Sequence, residues 1–127
     1  MENFGDKNII PVGAGKGGVG KTSLTASLGY IGAGSGRKVT IVDSDLGTAN
    51  LHLLTGVNYP SLTINDMFSG RKLKMKDIVL ETPFERLFLV SGANDILSLA
   101  NPSYSRKMKL IRNLRKIDSD DIFVDIA

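Results

Sequence analysis

Gly15-Lys16-Gly17-Gly18-Val19-Gly20-Lys21-Thr22 decides the reading of this chain, because it fits the phosphate-binding pattern G-x-x-x-x-G-K-[ST]. Glycines tolerate the dihedrals that turn successive backbone amides inward, so such a loop surrounds phosphate oxygens with N–H donors. A helix that follows aims its positive end at the same anion. Lys21 then faces the β- and γ-phosphates, the Thr22 hydroxyl ligates Mg²⁺, and Ser23 completes the cradle that runs from Gly15. A plain glycine turn is the competing explanation, but the setting disfavours it. Asn8-Ile9-Ile10-Pro11-Val12 reads as a strand before the loop, and Ser23 to Leu28 reads as a helix after it.

Outward from the loop, strand and helix signals alternate, which predicts an α/β fold with a parallel sheet and flanking helices. The first strand is expected over Lys7 to Val12, with a missing hydrogen bond or a bulge at Pro11, and the first helix over Lys21 to Ile31. Gly32, Gly34, Ser35 and Gly36 end that helix. Lys38 to Asp43 is β-branched and apolar enough for a buried second strand. A short helical piece is expected around Leu51 to Leu54, and a helix capped by Thr63 runs through Phe68 to Gly70. A basic, irregular stretch leads to a third strand, Leu87 to Val90, and Ser91 to Asp95 is a turn without assigned chemistry. Ser103 caps a last helix reaching Ile117, with Met108, Ile111 and Leu114 at helical spacing and Leu110, Leu114 and Ile117 widening the stripe. Ile122 to Ile126 is the fourth strand.

The chain has 127 residues and no cysteine, with sixteen Lys and Arg against thirteen Asp and Glu. That length suits one core and a single domain. Zero cysteines exclude a disulfide framework and a Cys-based zinc or iron–sulfur site in this segment. No run of 18 apolar residues is present, and Met1 to Asp6 lacks the apolar core of a secretory signal; a cytoplasmic location is expected chiefly because nucleotide-dependent chemistry belongs there. The net charge of +3 is mild, but its distribution is uneven. Arg71, Lys72, Lys74 and Lys76 form one basic cluster; Arg106, Lys107, Lys109, Arg112, Arg115 and Lys116 form another. The first explanation is solvated surface, and the second is a patch for DNA, anionic lipid or a partner protein.

Phosphoryl transfer needs carboxylates near Mg²⁺ and a group to orient water. Asp43 and Asp45 stand at the carboxyl end of the second strand, where ligands of open parallel sheets collect. Asp125 ends the apolar run Ile122-Phe123-Val124 in a Walker B pattern, a buried strand that delivers an acid to the metal. Loop capping is the alternative for Asp43 and Asp45, and helix capping for Asn50. His52 has no companion Ser, Cys or His and reads as a surface or partly buried residue.

The second lysine, Lys16, makes the loop resemble the deviant Walker A motif of the MinD/ParA family of ATPases. Val42-Asp43-Ser44-Asp45-Leu46-Gly47-Thr48-Ala49-Asn50 likewise resembles the family's switch I, most like its FlhG (FleN) and MinD branches. The resemblance implies ATP and Mg²⁺ as ligands and an ATP-dependent homodimer in which Lys16 reaches the partner's nucleotide. It also implies that Asp43 assists the metal's water shell, Asp45 positions the lytic water, and Asn50 frames the dimer interface. The implied function is an ATP-hydrolysing switch for spatial positioning, of flagella or of the division site. A partner protein that stimulates it or is positioned by it follows from the same resemblance. So does peripheral attachment to the inner membrane or cell pole through a C-terminal segment absent here. The alternatives are a DNA-partitioning ATPase of the ParA type and a non-hydrolysing nucleotide-binding scaffold; DNA is the weaker partner. Family members are roughly twice this length, so residues 1–127 read as the N-terminal part of one P-loop ATPase domain, cut after the Walker B strand.

Overall fold

A computed structural model of the protein describes residues 7–13, 20–43, 51–58, 60–69, 72–92 and 104–125. In chain order these form β1 (Asn8–Val12), α1 (Lys21–Gly34), β2 (Val39–Asp43), α2 (Leu51–Leu54), α3 (Ile64–Phe68) and α4 (Met75–Ile78), followed by β3 (Val79–Glu81), β4 (Leu87–Val90), α5 (Tyr104–Leu114) and β5 (Asp121–Asp125). They build a five-stranded sheet in the order β1-β5-β2-β4-β3. The first four strands of that order are parallel, and β3 joins β4 antiparallel at the edge. The α/β architecture with flanking helices is therefore the expected one, with one strand more than the sequence suggested.

Every residue of β2 and β5 is buried, as strands covered by helices on both faces require. Val39, Ile41, Leu87, Leu89 and Phe123 join Ala26 and Ala33 of α1 in one cluster. Thr40 aside, the alternate residues Val42, Val90, Ile122 and Val124 meet Leu110 and Leu114 of α5 and Ile64 and Met67 of α3. Period-two alternation thus assigns α1 to one face and α5 with α3 to the other.

Helix α1 lies close against the sheet because its inner residues are small. A Cβ on Gly29 would stand 3.0 Å from Leu87 Cδ1 and 3.1 Å from Ile41 Cγ2, and one on Gly32 would stand 2.9 Å from Val39 Cγ2. Gly32 and Gly34 therefore lie within the helix and do not end it. The helix runs on to Gly34, Ser35 is its C-cap, and Gly36 makes the turn with φ of 95°.

Other departures are equally local. Residues 72–81, expected to be irregular, contain α4 and β3, which bury Met75 and Ile78. A single helical turn and a three-residue strand are too short to show periodicity. Helix α5 ends at Leu114, and the chain continues through a turn to buried Ile117. Leu110, Leu114 and Ile117 are its core stripe; Ile111 is 40% exposed, and Met108 is only partly buried. The register of β1 is continuous through Pro11 paired with Val124, so no bulge forms. Asn8 N–H donates to the Asp120 carbonyl, and alternation turns the Pro11 nitrogen away from β5, where no ladder donor is required. The expected cap at Ser103 lies outside the described residues, whereas Thr63 caps α3 in a capping box with Asp66.

The amino-terminal ends of the strands are tied by polar contacts. Arg37 donates to both oxygens of Asp121 at 2.5 and 3.0 Å, and Asn8 Nδ2 donates to the same carboxylate at 2.9 Å. Lys38 N–H donates to Asp120 Oδ2, and the Thr40 and Ser119 hydroxyls share a buried bond of 2.6 Å. Lys7 Nζ donates to the Ile117 carbonyl.

Two outcomes follow. Gly29→Val should lower unfolding free energy by about 1–3 kcal/mol, since overpacking against Leu87 and Ile41 opposes any gain in helix propensity. Urea denaturation checks it; undiminished stability would mean that α1 is not seated at this distance. The hydrogen bond from Arg37 holds the Asp121 carboxyl below its ordinary 3.8, against the opposing effect of burial. A carboxyl depressed in the folded state contributes stability that is complete above about pH 4 and is lost as pH falls through the folded value. Asp121→Asn should therefore be less stable at neutral pH, with a shallower loss between about pH 4 and 2 than the parent. Urea midpoints across that range decide; superimposable acid limbs would remove Asp121 from the account.

Candidate nucleotide-binding site

Strand β1 leads through residues 14–19 to Gly20, whose φ of 89° places it in the left-handed region that favours glycine. Lys21 opens α1, and no acidic residue lies in the first turn to neutralise the helix end. Thr25 Oγ1 bonds back to the Lys21 carbonyl at 2.9 Å, and Leu24 N–H bonds to the Gly20 carbonyl at 2.8 Å. The turn that carries Lys21 and Thr22 is thereby fixed from within.

Opposite this turn, β5 ends in Asp125 and β2 ends in Asp43. They are register partners on neighbouring parallel strands, so their Cα atoms stand about 5 Å apart. Both point to the α1 face, and both residues are buried at 1% exposure. Lys21 Nζ meets Asp125 Oδ1 at 2.9 Å, with the two side chains 5% and 1% exposed. Thr22 Oγ1 donates to Asp125 Oδ2 at 3.3 Å. A buried carboxylate at the carboxyl edge of the sheet thus holds a lysine and a hydroxyl from the first turn of α1.

Mg²⁺ fits this donor set. It is a hard cation that takes one or two carboxylates, keeps several waters and uses phosphate oxygens for the rest. Asp43, Asp125 and the Thr22 hydroxyl supply oxygen donors only.

The structure brings Lys21, Thr22, Asp43 and Asp125 together at the carboxyl edge of the sheet, and Ser23 lies exposed in the same turn. Gly15, Lys16, Gly17, Gly18 and Val19 of the loop, and Asp45 and Asn50 after β2, lie outside the described residues. His52 is partly buried in α2. Sequence reasoning missed the anchoring of α2. Leu51 is fully buried against the α1 face, and Tyr30 Oη donates to the Leu54 carbonyl at 2.7 Å. The Tyr30 ring meets Phe84 edge-on at 4.9 Å between centroids. No local pattern marks Tyr30, because its partners are contributed by distant segments.

Comparison with known proteins agrees with this geometry. The CobQ/CobB/MinD/ParA nucleotide binding domain matches residues 10–122. The antiactivator FleN of Pseudomonas aeruginosa is 35% identical over 121 residues, which are 94% of this chain and 42% of FleN. The septum site-determining protein MinD of Thermotoga maritima is 38% identical over 87 residues, 68% of this chain and 32% of that protein. The solved structure of MinD from Pyrococcus horikoshii, complexed with Mg-ADP, superposes with a TM-score of 0.73 at 34% identity. That superposition covers 94% of this chain and 48% of the other. The chain spans a third to a half of the length of these relatives. Because the family match begins within β1 and ends within β5, it takes in all five strands, and the chain belongs to the CobQ/CobB/MinD/ParA nucleotide-binding family.

Proposed function

We propose that the protein binds ATP with Mg²⁺ and hydrolyses it as a dimeric switch that positions other components of the cell. The observation that carries this reading is the buried contact of Lys21 and Thr22 with Asp125, beside Asp43, at the carboxyl edge of the sheet. The identities to FleN and MinD favour flagellar or division-site placement over DNA partitioning. Residues 1–127 are taken as part of one P-loop ATPase domain.

In this mechanism the backbone of Gly15 to Lys21 and the start of α1 receive the phosphates. The Lys21 ammonium, already desolvated and held by Asp125, turns to the β- and γ-oxygens when they arrive. Thr22, Asp43 and Asp125 would hold Mg²⁺, which would supply charge neutralisation at the phosphates. Asp45 orients the attacking water, and Lys16 reaches the nucleotide of a second protomer, so that dimerisation depends on ATP. Among the described residues no helix is long and apolar enough to cross a membrane.

Lys21→Ala in the full-length protein should weaken ATP by about ten- to a hundredfold, the loss expected for a charge-assisted bond of roughly 1.5–3 kcal/mol. Titration of a fluorescent ATP analogue reads this, with circular dichroism confirming the fold. Undiminished affinity would refute the phosphate-loop assignment.

Asp45→Ala and Lys16→Ala should part company. The first is expected to bind ATP and accumulate as ATP-bound dimers with turnover lowered by at least about a hundredfold. The second should keep monomeric binding and fail to dimerise. Phosphate release with light scattering distinguishes them. Parental turnover in Asp45→Ala would move the water-positioning role elsewhere, and normal dimers in Lys16→Ala would make Lys16 a simple loop cation. A parent protein that binds ATP without turnover would instead be a nucleotide-binding scaffold.

A further inference from the structure

The two basic clusters of the sequence converge at a second place, remote from the phosphate loop. Beside the amino-terminal ends of β2 and β5, on the α5 face, lies a cleft of about 390 Å³. Lys76 from the first cluster and Lys116 from the second both line it. Val79, Phe88 and Ile117 supply its apolar walls, with Ile117 3% exposed as part of the core. The strands run five residues from here to Asp43 and Asp125, which separates the cleft from the carboxyl edge by roughly 15 Å.

The cleft's charges are not equivalent. Lys38 is committed: its Nζ pairs with Asp118 Oδ2 at 3.0 Å and stands 5.2 Å from the Phe88 ring centroid. Lys76 and Lys116 are exposed and have no carboxylate partner among the described residues. Glu81, on the edge strand, is the remaining acid of the lining. Two lysines without a carboxylate partner among the described residues, beside apolar walls, suit a ligand that is both anionic and apolar.

We infer that this cleft docks an acidic peptide segment of a partner protein, with one large apolar side chain inserted between Phe88 and Ile117 and carboxylates facing Lys76 and Lys116. A nucleic-acid backbone would leave the apolar walls uncovered. The lining holds no arginine, whose planar fork is the usual choice for phosphate. Lysines act as flexible point charges and suit carboxylates at several positions along a peptide.

The test uses the full-length protein and a fluorescein-labelled peptide of alternating Asp and Glu around a central Leu-Phe pair, read by fluorescence anisotropy. Binding should weaken by about tenfold in the double variant Lys76→Glu, Lys116→Glu, the loss of two rim ion pairs. It should weaken similarly when the peptide's Leu-Phe pair becomes Ala-Ala, and the variant's melting midpoint should match the parent's. Competition by duplex DNA and by phosphatidylglycerol vesicles is measured alongside and should be weaker than competition by unlabelled peptide. The inference is overturned if the peptide does not bind at millimolar concentration, or if the double variant binds it as the parent does. Equal binding of the Ala-Ala peptide would reduce the cleft to an unspecific basic surface, and stronger competition by DNA or vesicles would reassign it to those polyanions.

Discussion

The candidate site is organised around a buried ion pair, Lys21 with Asp125. Removing an ammonium and a carboxylate from water costs several kcal/mol per ion, and their attraction offsets this only when geometry is good. Such a pair is thus poor evidence for stability and better evidence for a site where charge is kept ready for use. Asp125 must leave the sheet on the α1 face, at the end of its strand, level with Asp43. A slip of one residue in β5 would turn Asp125 toward α5 and bring apolar Val124 under Lys21. The register of β5 between β1 and β2 is consequently the constraint on which the site rests.

That register is fixed far from the site. Asn8 and Arg37 grip Asp121, Lys38 N–H bonds to the Asp120 carboxylate, and Thr40 meets Ser119 in the interior. Each contact joins β1 or β2 to the residues that enter β5, four to six positions before Asp125. In a pleated strand the side-chain direction repeats every two residues. Fixing Asp121 on the α1 side therefore fixes Phe123 and Asp125 on that side as well. Close packing completes the arrangement, because Gly29 and Gly32 let α1 descend on β2 and β4 until Lys21 comes within reach of Asp125.

These facts also explain how much was legible in the sequence. The strands β1, β2, β4 and β5, and the places of Asp43 and Asp125 at strand ends, could be read, because short apolar runs and a closing Asp are local signals. The capping box at Thr63 was equally local. Helix α4 and strand β3 were not, since one turn and three residues carry no period. The face of α1 could not be chosen from its pattern, because its inner residues are small while Leu24 and Ile31 are 52% and 70% exposed. The helix stripe of α5 was half right: Ile111 keeps the spacing, but Leu110 and Ile117 are the residues the sheet covers. The Arg37–Asp121 and Tyr30–Leu54 contacts join residues 84 and 24 positions apart, and no periodicity encodes such pairs.

A parallel sheet gives its two ends different chemistry. At the carboxyl end the strands stop, loops open and helix N-termini point inward, so anions and metal ions gather there. At the amino end the chain turns from helix into strand, and those turns need polar partners, which Arg37, Lys38, Asp120 and Asp121 supply to one another. Lys76 and Lys116 lie outside that register network. Their charges can serve a partner without loosening β5, because neither side chain takes part in the contacts that hold Asp121. The same division that protects the buried pair at one end leaves the other end free to acquire a second surface.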